Sequence, residues 1–382
     1  MKSPLKIALI TTDARHAFRQ FDSETPNFGT AIQGLLQGFS ELEDAEVHVI
    51  CASPSLLKSP EKLAPNIWFH HLLVPKYGWG RSLFLGVAWK IRQLIRELKI
   101  EIVHGQGTER DCAVSAILSG KLNILTIHGN MRVHAKRTEN GHQLYYKLAA
   151  VLETICLKRT QGVVAISRYT EDLVKALTPR TWLLPNAVDR GFFDLVPLSP
   201  AVPRILFVGS LDERKNPLGM LRACEPMLRA GESTLCIAGQ SNPSQPYVAE
   251  VLRLVDQLPG IEMLGFIGRD ELAKHFERSS LLVLPTFEDN CPMVVLEAMA
   301  AGIPVAASRV GGVPDLITHE QDGLMFDPNH PDEMRSCLER LVREPETRSR
   351  FGAAGRSTAL ERFHPKVIAE EHLKIYREVL GR

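Results

Sequence analysis

Residues 281–302, LLVLPTFEDNCPMVVLEAMAAG, decide how this chain folds. The run Leu281–Leu284 has the length and apolar composition of a buried β-strand. A polar loop with two carboxylates follows, and Pro292 then opens an apolar segment of helical length. A buried strand that leads through a loop into a helix is the repeating unit of a parallel sheet.

The same alternation of apolar run and helical pattern extends along the whole chain in two series. It predicts right-handed β–α crossovers and two α/β domains of the Rossmann type. Ligands of such sheets bind beyond the carboxyl ends of the strands, so the loops that follow strands are the places to look for functional residues. The first series predicts strands at residues 6–11, 46–51, 67–74, 101–104, 123–127, 162–166 and 182–184. The second predicts strands at 204–208, 235–238, 261–264, 281–284, 305–307 and 324–326.

A proline-rich segment separates the two series. Residues 185–203 contain four prolines and no hydrophobic periodicity, which predicts an extended linker. The expected organisation is therefore an N-terminal domain at 1–185, a linker at 186–203 and a C-terminal domain at 204–364. The natural ligand site of two such domains is the cleft between them.

Two adjacent cations follow the first strand of the second series, in VGSLDERKNP at residues 208–217. Gly209 allows a tight turn, and Asn216 with Pro217 is typical of a helix start. Arg214 and Lys215 would then lie beside a helix N-terminus, where a diphosphate is well accommodated. The alternative is an ordinary solvated Arg–Lys pair in a loop.

Glu297 is the single charged residue in the helix that follows Leu281–Leu284. A buried carboxylate needs a partner. Sugar or ribose hydroxyls would serve, and so would a neighbouring backbone group or an arginine. The paired glycines Gly311 and Gly312 after the next strand predict either amides that face an anion or a plain turn.

The first series is less distinctive. His128 follows the strand expected at 123–127, and a single histidine there is either structural or functional. Residues 76–99 hold six cations, one acid and three Trp or Phe side chains. This composition predicts either a helix that lies on an anionic membrane surface or an ordinary crossover helix with a solvated basic face.

Composition excludes several classes of protein. The 382 residues carry 45 Lys and Arg against 44 Asp and Glu, so no global charge favours nucleic acid. The charge balance is +6 over residues 1–200 and −5 over 201–382, which suggests different partners for the two halves. No apolar run approaches the ~20 residues of a membrane-spanning helix, and the N-terminus indicates a first strand rather than a signal peptide.

Cysteine and acid spacing give expectations about metals and compartment. The seven cysteines are scattered without a Cys-x-x-Cys pair, as in reduced cytoplasmic proteins. No Asp-x-Asp pair and no His/Asp cluster with metal spacing is present, so neither a dedicated metal site nor a cofactor is expected.

The sequence resembles the retaining, nucleotide-sugar-dependent glycosyltransferases of family four, whose fold is called GT-B. The resemblance covers nearly the whole chain and is most specific in residues 204–330. It depends on VGSLDERKNP, LGFIGRDEL, PTFEDNCPMVVLEAMAAGIPV, VGGVPDLI and DGLMF in that order. It implies two Rossmann-like domains across a deep cleft, and a final helix at 365–382 that returns to the first domain.

The resemblance also implies roles for individual residues. Those that match the family's donor-binding positions are Lys215 and Arg214 for the diphosphate, Glu297 for the ribose, Phe266 and Ile267 near the base, Met293, Val294 and Val295 at the phosphate-facing helix start, and His128 near the donor sugar. Gly209 and Ser210 belong to the same site.

Two departures from the family pattern leave assignments open. The first acid of the family's E-x7-E motif falls on Asp289, but Glu288 is adjacent, and either is a candidate for contact with the donor sugar. Ser210 stands where many members have an arginine, so one phosphate contact is either lost or supplied by Arg214.

The expected activity is hexosyl transfer with retention, from a nucleoside-diphosphate sugar as co-substrate to a saccharide or lipid-linked saccharide, in cell-surface polysaccharide or glycolipid synthesis. The expected location is the cytoplasm, with peripheral contact at the inner face of an anionic membrane as an open alternative. A nucleotide-sugar 2-epimerase on the same fold and a non-catalytic binding subunit are the competing functions.

Overall fold

The computed structural model describes residues 3–137 and 143–382, without the side chains of Arg81, Arg137 and Gln143. The chain forms two compact units. The first comprises Met1–Ala187 together with Pro365–Arg382, and the second comprises Val188–His364. Both are α/β structures built on a mainly parallel sheet.

The first unit contains an eight-stranded sheet in the order β3-β4-β2-β1-β5-β6-β7-β8. Every neighbouring pair is parallel except β3 with β4. The strands are β1 Leu5–Ile10, β2 Ala45–Ser53, β3 Lys62–Ala64, β4 Ile67–Leu73, β5 Ile102–Gln106, β6 Leu122–Ile127, β7 Val163–Ala165 and β8 Thr181–Leu183. The helices between them are α1 Thr30–Phe39, α2 Leu85–Glu97, α3 Cys112–Leu118, α4 Met131–Arg137, α5 Gln143–Arg159 and α6 Arg168–Val174.

Both faces of the central strands of this sheet are buried, which explains why those strands are largely continuous apolar runs. Alternate side chains of β1 point to opposite faces. Ile7 and Leu9 belong to the core beneath α1, whereas Ala8 and Ile10 belong to the core beneath α2, α3 and α5.

The second unit contains a six-stranded parallel sheet in the order β11-β10-β9-β12-β13-β14. This order corresponds to the 3-2-1-4-5-6 arrangement of Rossmann folds, whose ligand crevice lies between the first and fourth strands. The strands are β9 Arg204–Val208, β10 Thr234–Ala238, β11 Ile261–Gly265, β12 Leu281–Leu284, β13 Val305–Ser308 and β14 Leu324–Phe326. The helices are α7 Pro217–Arg229, α8 Pro246–Gln257, α9 Arg269–Glu277, α10 Met293–Ala300, α11 Val313–Leu316, α12 Pro331–Arg343 and α13 Pro345–Arg362.

The last helix, α14 (Pro365–Val379), belongs to the first unit, where it lies against α1. Gly38 of α1 makes this approach feasible, because a Cβ atom there would lie 2.0 Å from the carbonyl oxygen of Pro365. Ile368, Leu373 and Tyr376 complete the core on that side of the sheet.

Two local features differ from the sequence-based expectations. The short antiparallel strand β3 was not expected, since its three residues are half-buried or exposed and form no apolar run. The segment expected to be an extended linker contains a 3₁₀ turn at Arg190–Phe192, which Asp189 caps by accepting a hydrogen bond from the Gly191 amide. Among the described residues, no helix is long and apolar enough to cross a membrane.

Candidate functional site

The loops after β9 and β12 meet at the switch point of the second sheet. The two strands are hydrogen-bonded neighbours, so their carboxyl ends deliver both loops to one place. Lys215 Nζ donates to Asp289 Oδ2 at 2.6 Å. Arg214 donates to the carbonyl oxygen of Glu288 at 3.0 Å and lies 3.9 Å from Asp289 Oδ2. The two cations and the two candidate motif acids are therefore brought together.

Asp212 holds the cationic loop in shape. Its Oδ1 accepts the Lys215 amide at 3.0 Å, which caps a short 3₁₀ turn. Its Oδ2 accepts the Ser210 hydroxyl at 2.5 Å. The Ser210 side chain, expected from the resemblance to lie in the donor site, is thus committed to Asp212. Asn216, at φ 53°, caps α7 through the Gly219 amide, as the Asn-Pro signal indicated.

The paired glycines support the acidic loop instead of presenting both amides to an anion. The Gly312 amide donates to the carbonyl oxygen of Asp289 at 3.0 Å. Gly311 has φ +55°, and a Cβ atom there would lie 1.8 Å from the same oxygen. A residue larger than glycine at position 311 would push Asp289 away from Lys215.

Helix α10 begins beside this loop. Its residues Met293 and Val294 contribute backbone N–H groups from the first turn, where no intrahelical acceptor precedes them. The Val295 amide already donates to the carbonyl oxygen of Pro292 at 3.0 Å. The helix dipole adds positive potential at this end.

Glu297 is one turn further along α10 and is almost completely buried, with 3% of its surface exposed. Its Oε1 accepts a hydrogen bond from Arg269 at 3.0 Å, and the Arg269 guanidinium lies 5.1 Å from the centre of the Phe192 ring. Burial raises the pKa of Glu297, while the charge of Arg269 opposes that effect. The arginine partner was one of the structural alternatives that the sequence left open.

Phe266 and Ile267 lie in the loop between β11 and α9. Phe266 is exposed and Ile267 is half-buried. Gly265 turns the chain at this point with φ +65°. Arg269 begins the next helix, so this loop and Glu297 are linked through one guanidinium.

His128 lies in the first unit, at the carboxyl end of β6. Its Nε2 lies 3.1 Å from Gln106 Oε1, and since an amide oxygen only accepts, His128 carries its proton on Nε2. Gln106 Nε2 approaches the His104 ring at 3.3 Å, and His104 Nδ1 lies 2.7 Å from the Tyr376 hydroxyl. Burial, reinforced by the charge that His372 would carry, lowers the pKa of His128 to about 4.

One group of potential metal ligands exists among the described residues. Cys236, Glu262 and His275 have ligand atoms within 4.8 Å of one another. Arg204 donates to His275 Nδ1 at 3.0 Å and forms an ion pair with Glu262, so a protein cation already neutralises this cluster. The three residues come from β10, β11 and α9, which is why sequence spacing did not reveal them.

Sequence reasoning missed three residues that shape the site: Asp212, Arg269 and Gln106. Asp212 had a local signal, because an acid three residues before Lys215 suits a turn cap. Arg269 lies 28 positions from Glu297, and only the fold brings the two together.

Two family models match the chain, one in each half. The model described as "Glycosyltransferase Family 4" matches residues 29–192, and the model described as "Glycosyl transferases group 1" matches residues 202–344. Together they cover most of the sequence.

Individual relatives agree with these matches. An uncharacterized glycosyltransferase of Methanocaldococcus jannaschii, MJ1607, is 30% identical over 181 residues, which cover 47% of this chain and 46% of the relative. An alpha-maltose-1-phosphate synthase of Mycolicibacterium smegmatis is 27% identical over 299 residues, covering 70% of this chain and 75% of that protein. The crystal structure of the Anabaena protein HepE with UDP-glucose has a TM-score of 0.69 at 15% identity and covers 99% of both chains.

Two parallel-sheet units with the 3-2-1-4-5-6 order in the second, and the likeness to solved structures of this architecture, place the chain in the class of GT-B folds. Within that class the chain belongs to glycosyltransferase family 4.

Proposed function

We propose that the protein transfers a hexose from a nucleoside-diphosphate sugar to an acceptor hydroxyl, with retention of anomeric configuration. The observation that carries this proposal is the group at the switch point, where Lys215 and Arg214 meet Asp289 beside the first turn of α10. The structure of HepE with UDP-glucose supports a nucleotide sugar as the donor in this fold.

The Lys215–Asp289 contact indicates how the diphosphate would be held. Lys215 is 12% exposed and reaches an anionic oxygen at 2.6 Å. In the proposed complex a phosphate oxygen takes the place of that carboxylate oxygen, since both are anionic acceptors. Arg214, which is 46% exposed, approaches the same position from the solvent side. Asp289 is then released to face the sugar, which favours Asp289 over Glu288 as the first motif acid.

The chemical step needs stabilisation of the leaving group. As the bond between the sugar and the β-phosphate breaks, negative charge grows on the phosphate. Lys215, Arg214 and the Met293 and Val294 amides would stabilise that charge without a divalent ion. The acceptor proton passes to the leaving phosphate in this proposal, and no protein base is assigned.

The nucleoside would be held further along the same crevice. Glu297 offers Oε1 to Arg269, and we assign the ribose hydroxyls to Oε2. Phe266 and Ile267 follow β11 on the same side of the sheet and would contact the base. His128, which belongs to the first unit and carries its proton on Nε2, stays a candidate sugar-binding residue on the ground of the resemblance alone.

The proposed acceptor is a saccharide or lipid-linked saccharide, met at the inner face of an anionic membrane. The exposed residues Trp89, Arg96 and Lys99 support contact through the basic stretch 76–99. Fewer residues of this stretch are available for membrane contact than its composition suggests. Trp79 is buried and donates to the Val74 carbonyl oxygen, Lys90 donates to that of Leu73, and the Arg81 side chain lies outside the described ones.

Turnover of radiolabelled nucleotide sugars, with and without a membrane lipid extract as acceptor, tests the proposal. Sugar transfer only in the presence of acceptor, with the donor's anomeric configuration kept in the proton NMR coupling, is the expected result. Conversion of the nucleotide sugar without acceptor would indicate an epimerase, and tight binding without turnover would indicate a binding subunit. An inverted product would refute retention.

A further inference from the structure

Helix α5 of the first unit has apolar side chains on two faces. One face, with Ala149, Cys156 and Leu157, is buried, and Cys156 and Leu157 belong to the core on this side of the sheet. The other exposes Leu144, Leu148, Val151 and Ile155, at 80%, 43%, 56% and 43% of their surface. These four residues, here called the α5 stripe, are spaced by four, three and four positions, which places them on one side of the helix.

The charges on α5 have one sign wherever they meet solvent. Lys147, Lys158 and Arg159 are exposed. The only acid in the helix, Glu153, is buried and accepts hydrogen bonds from Thr108 Oγ1 at 2.5 Å and Arg132 Nε at 3.2 Å. An exposed apolar stripe flanked by cations is the composition of helices that lie in the interface of an anionic bilayer.

The stripe begins next to the proposed sugar site of the first unit. Helix α5 follows α4 in the connection between the parallel strands β6 and β7 and ends just before β7, so its first turn lies toward the carboxyl edge of the sheet. There the Tyr145 hydroxyl donates to the Glu109 carbonyl oxygen at 3.3 Å, and Glu109 Oε1 accepts the Gly129 amide at 2.8 Å. The first turn of α5 is thus linked to the loop that carries His128.

Helix α2 extends the same surface. Helix α3, which is nearly all buried, contacts both α2 and α5. On α2, Leu85 and Trp89 are 55% and 60% exposed, one helical turn apart, and Arg96 is exposed further along. Two helices of one layer therefore present apolar side chains together with cations.

We propose that the α5 stripe inserts into the headgroup region of an anionic membrane and anchors the first unit there. The α5 stripe lies outside the basic stretch 76–99, whose helix α2 only extends the same surface. The link of this anchor to a lipid-borne acceptor rests on the proposed function. A second copy of the chain fits this surface less well. In a two-fold symmetric contact the same patch faces itself, so Lys147, Lys158 and Arg159 would meet their own counterparts.

Vesicle flotation tests the anchor. Wild-type protein should float with vesicles of 30% anionic lipid and should remain partly bound at high salt, because apolar insertion is not screened. The double variant Leu148→Glu/Val151→Glu should bind at least tenfold more weakly. Leu360→Glu, which changes an exposed leucine of α13 in the second unit, is the matched control and should float like wild type.

A fluorophore on the stripe provides a readout of insertion that does not depend on activity. Six of the seven native cysteines are buried and Cys337 is half-buried, so Val151→Cys in a Cys337→Ser background can be labelled selectively with an environment-sensitive probe. Its emission should shift to the blue with anionic vesicles, and the emission of the same probe at Leu360→Cys should not.

Three results would overturn the proposal: flotation of the double variant like wild type, a water-like probe at position 151 on bound protein, or a wild-type dimer that the double variant dissociates without any vesicle binding. Each of these can occur whether or not the protein transfers sugar, so a failure of the anchor is distinguishable from a failure of the proposed function. Unchanged thermal unfolding of the double variant excludes misfolding as the cause of weak binding.

Discussion

Replacement of Lys215 by alanine is the most direct test of the diphosphate assignment. The side chain is 12% exposed, so its charge acts in a partly water-excluded place, whereas Arg214, at 46% exposure, is more strongly screened. Arg214 alone should therefore compensate poorly. By analogy with the loss of one oxyanion-hole donor, kcat should fall by roughly 10²–10³, or about 2.7–4 kcal/mol of transition-state stabilisation.

The fold should tolerate this change. Lys215 belongs to a 3₁₀ turn held by Asp212 through the backbone, and alanine keeps that amide. Asp289 loses its 2.6 Å partner but keeps Arg214 at 3.9 Å, so the cost in unfolding free energy should lie between the ~1 kcal/mol of a surface ion pair and the ~3–5 kcal/mol of a fully buried one.

The assay is steady-state kinetics with the nucleotide sugar identified by screening, together with thermal unfolding. Lys175→Ala, which removes an exposed lysine paired with Asp172 in α6, is the control for loss of one cation. Lys215→Arg should retain more activity than the alanine variant because the charge remains. A Lys215→Ala enzyme that is folded and within a few-fold of wild-type kcat would refute the assignment.

Three further outcomes are expected. Glu297→Gln should weaken binding of the bare nucleoside diphosphate by about 1.5–3 kcal/mol, measured by calorimetry; unchanged affinity would leave Glu297 with only the structural task of holding Arg269. Activity should survive EDTA, because Lys215 and Arg214 supply the positive charge; complete loss that Mg²⁺ or Mn²⁺ restores would contradict that mechanism. Burial lowers the pKa of His128 and His372 to about 4, against about 6.5 in the unfolded chain. Between these two pKa values the unfolded state therefore binds more protons than the folded state. As the pH is lowered below about 6.5, the free energy of unfolding should decrease by up to about 1.4 kcal/mol per pH unit for each histidine. Denaturant titrations from pH 7.5 to 5 measure this slope, which should be shallower in His372→Gln.

Most strands of the second unit were predictable because they are buried on both faces, although the edge strand β11 exposes Glu262 and Met263. The strands β9, β12 and β14 have the bounds that their continuous apolar runs indicate. The edge strand β3 has no such run, and its pairing with β4 depends on the partner strand. The turn at Arg190–Phe192 escaped notice because prolines dominate that segment, while the feature that forms the turn is a single capping carboxylate, Asp189.

The residues of the candidate site also differ in how well the sequence predicts them. Residues that follow strands, such as Lys215 and Asp289, were found because the topology of a parallel sheet places them at one edge. Their supports were not found where the contact spans separate elements, as between Arg269 and Glu297 or between Gln106 and His128. The hydrogen bonds from the Ser210 hydroxyl to Asp212 and from the Gly312 amide to Asp289 were not predicted either, because the spacing of residues in the sequence does not determine hydrogen-bond geometry.

The return of α14 to the first unit has a consequence for biosynthesis. Residues 365–376, which complete the core beneath α1, are made only after the whole of the second unit has been synthesised. The ribosome adds ≈ 5–20 residues per second, so the first sheet waits on the order of ten seconds or more with that side uncovered. The second unit has all of its strands in one continuous segment and can fold first. A nascent chain arrested before residue 365 should therefore expose apolar surface on α1 that chaperones bind, and release past Tyr376 should close it.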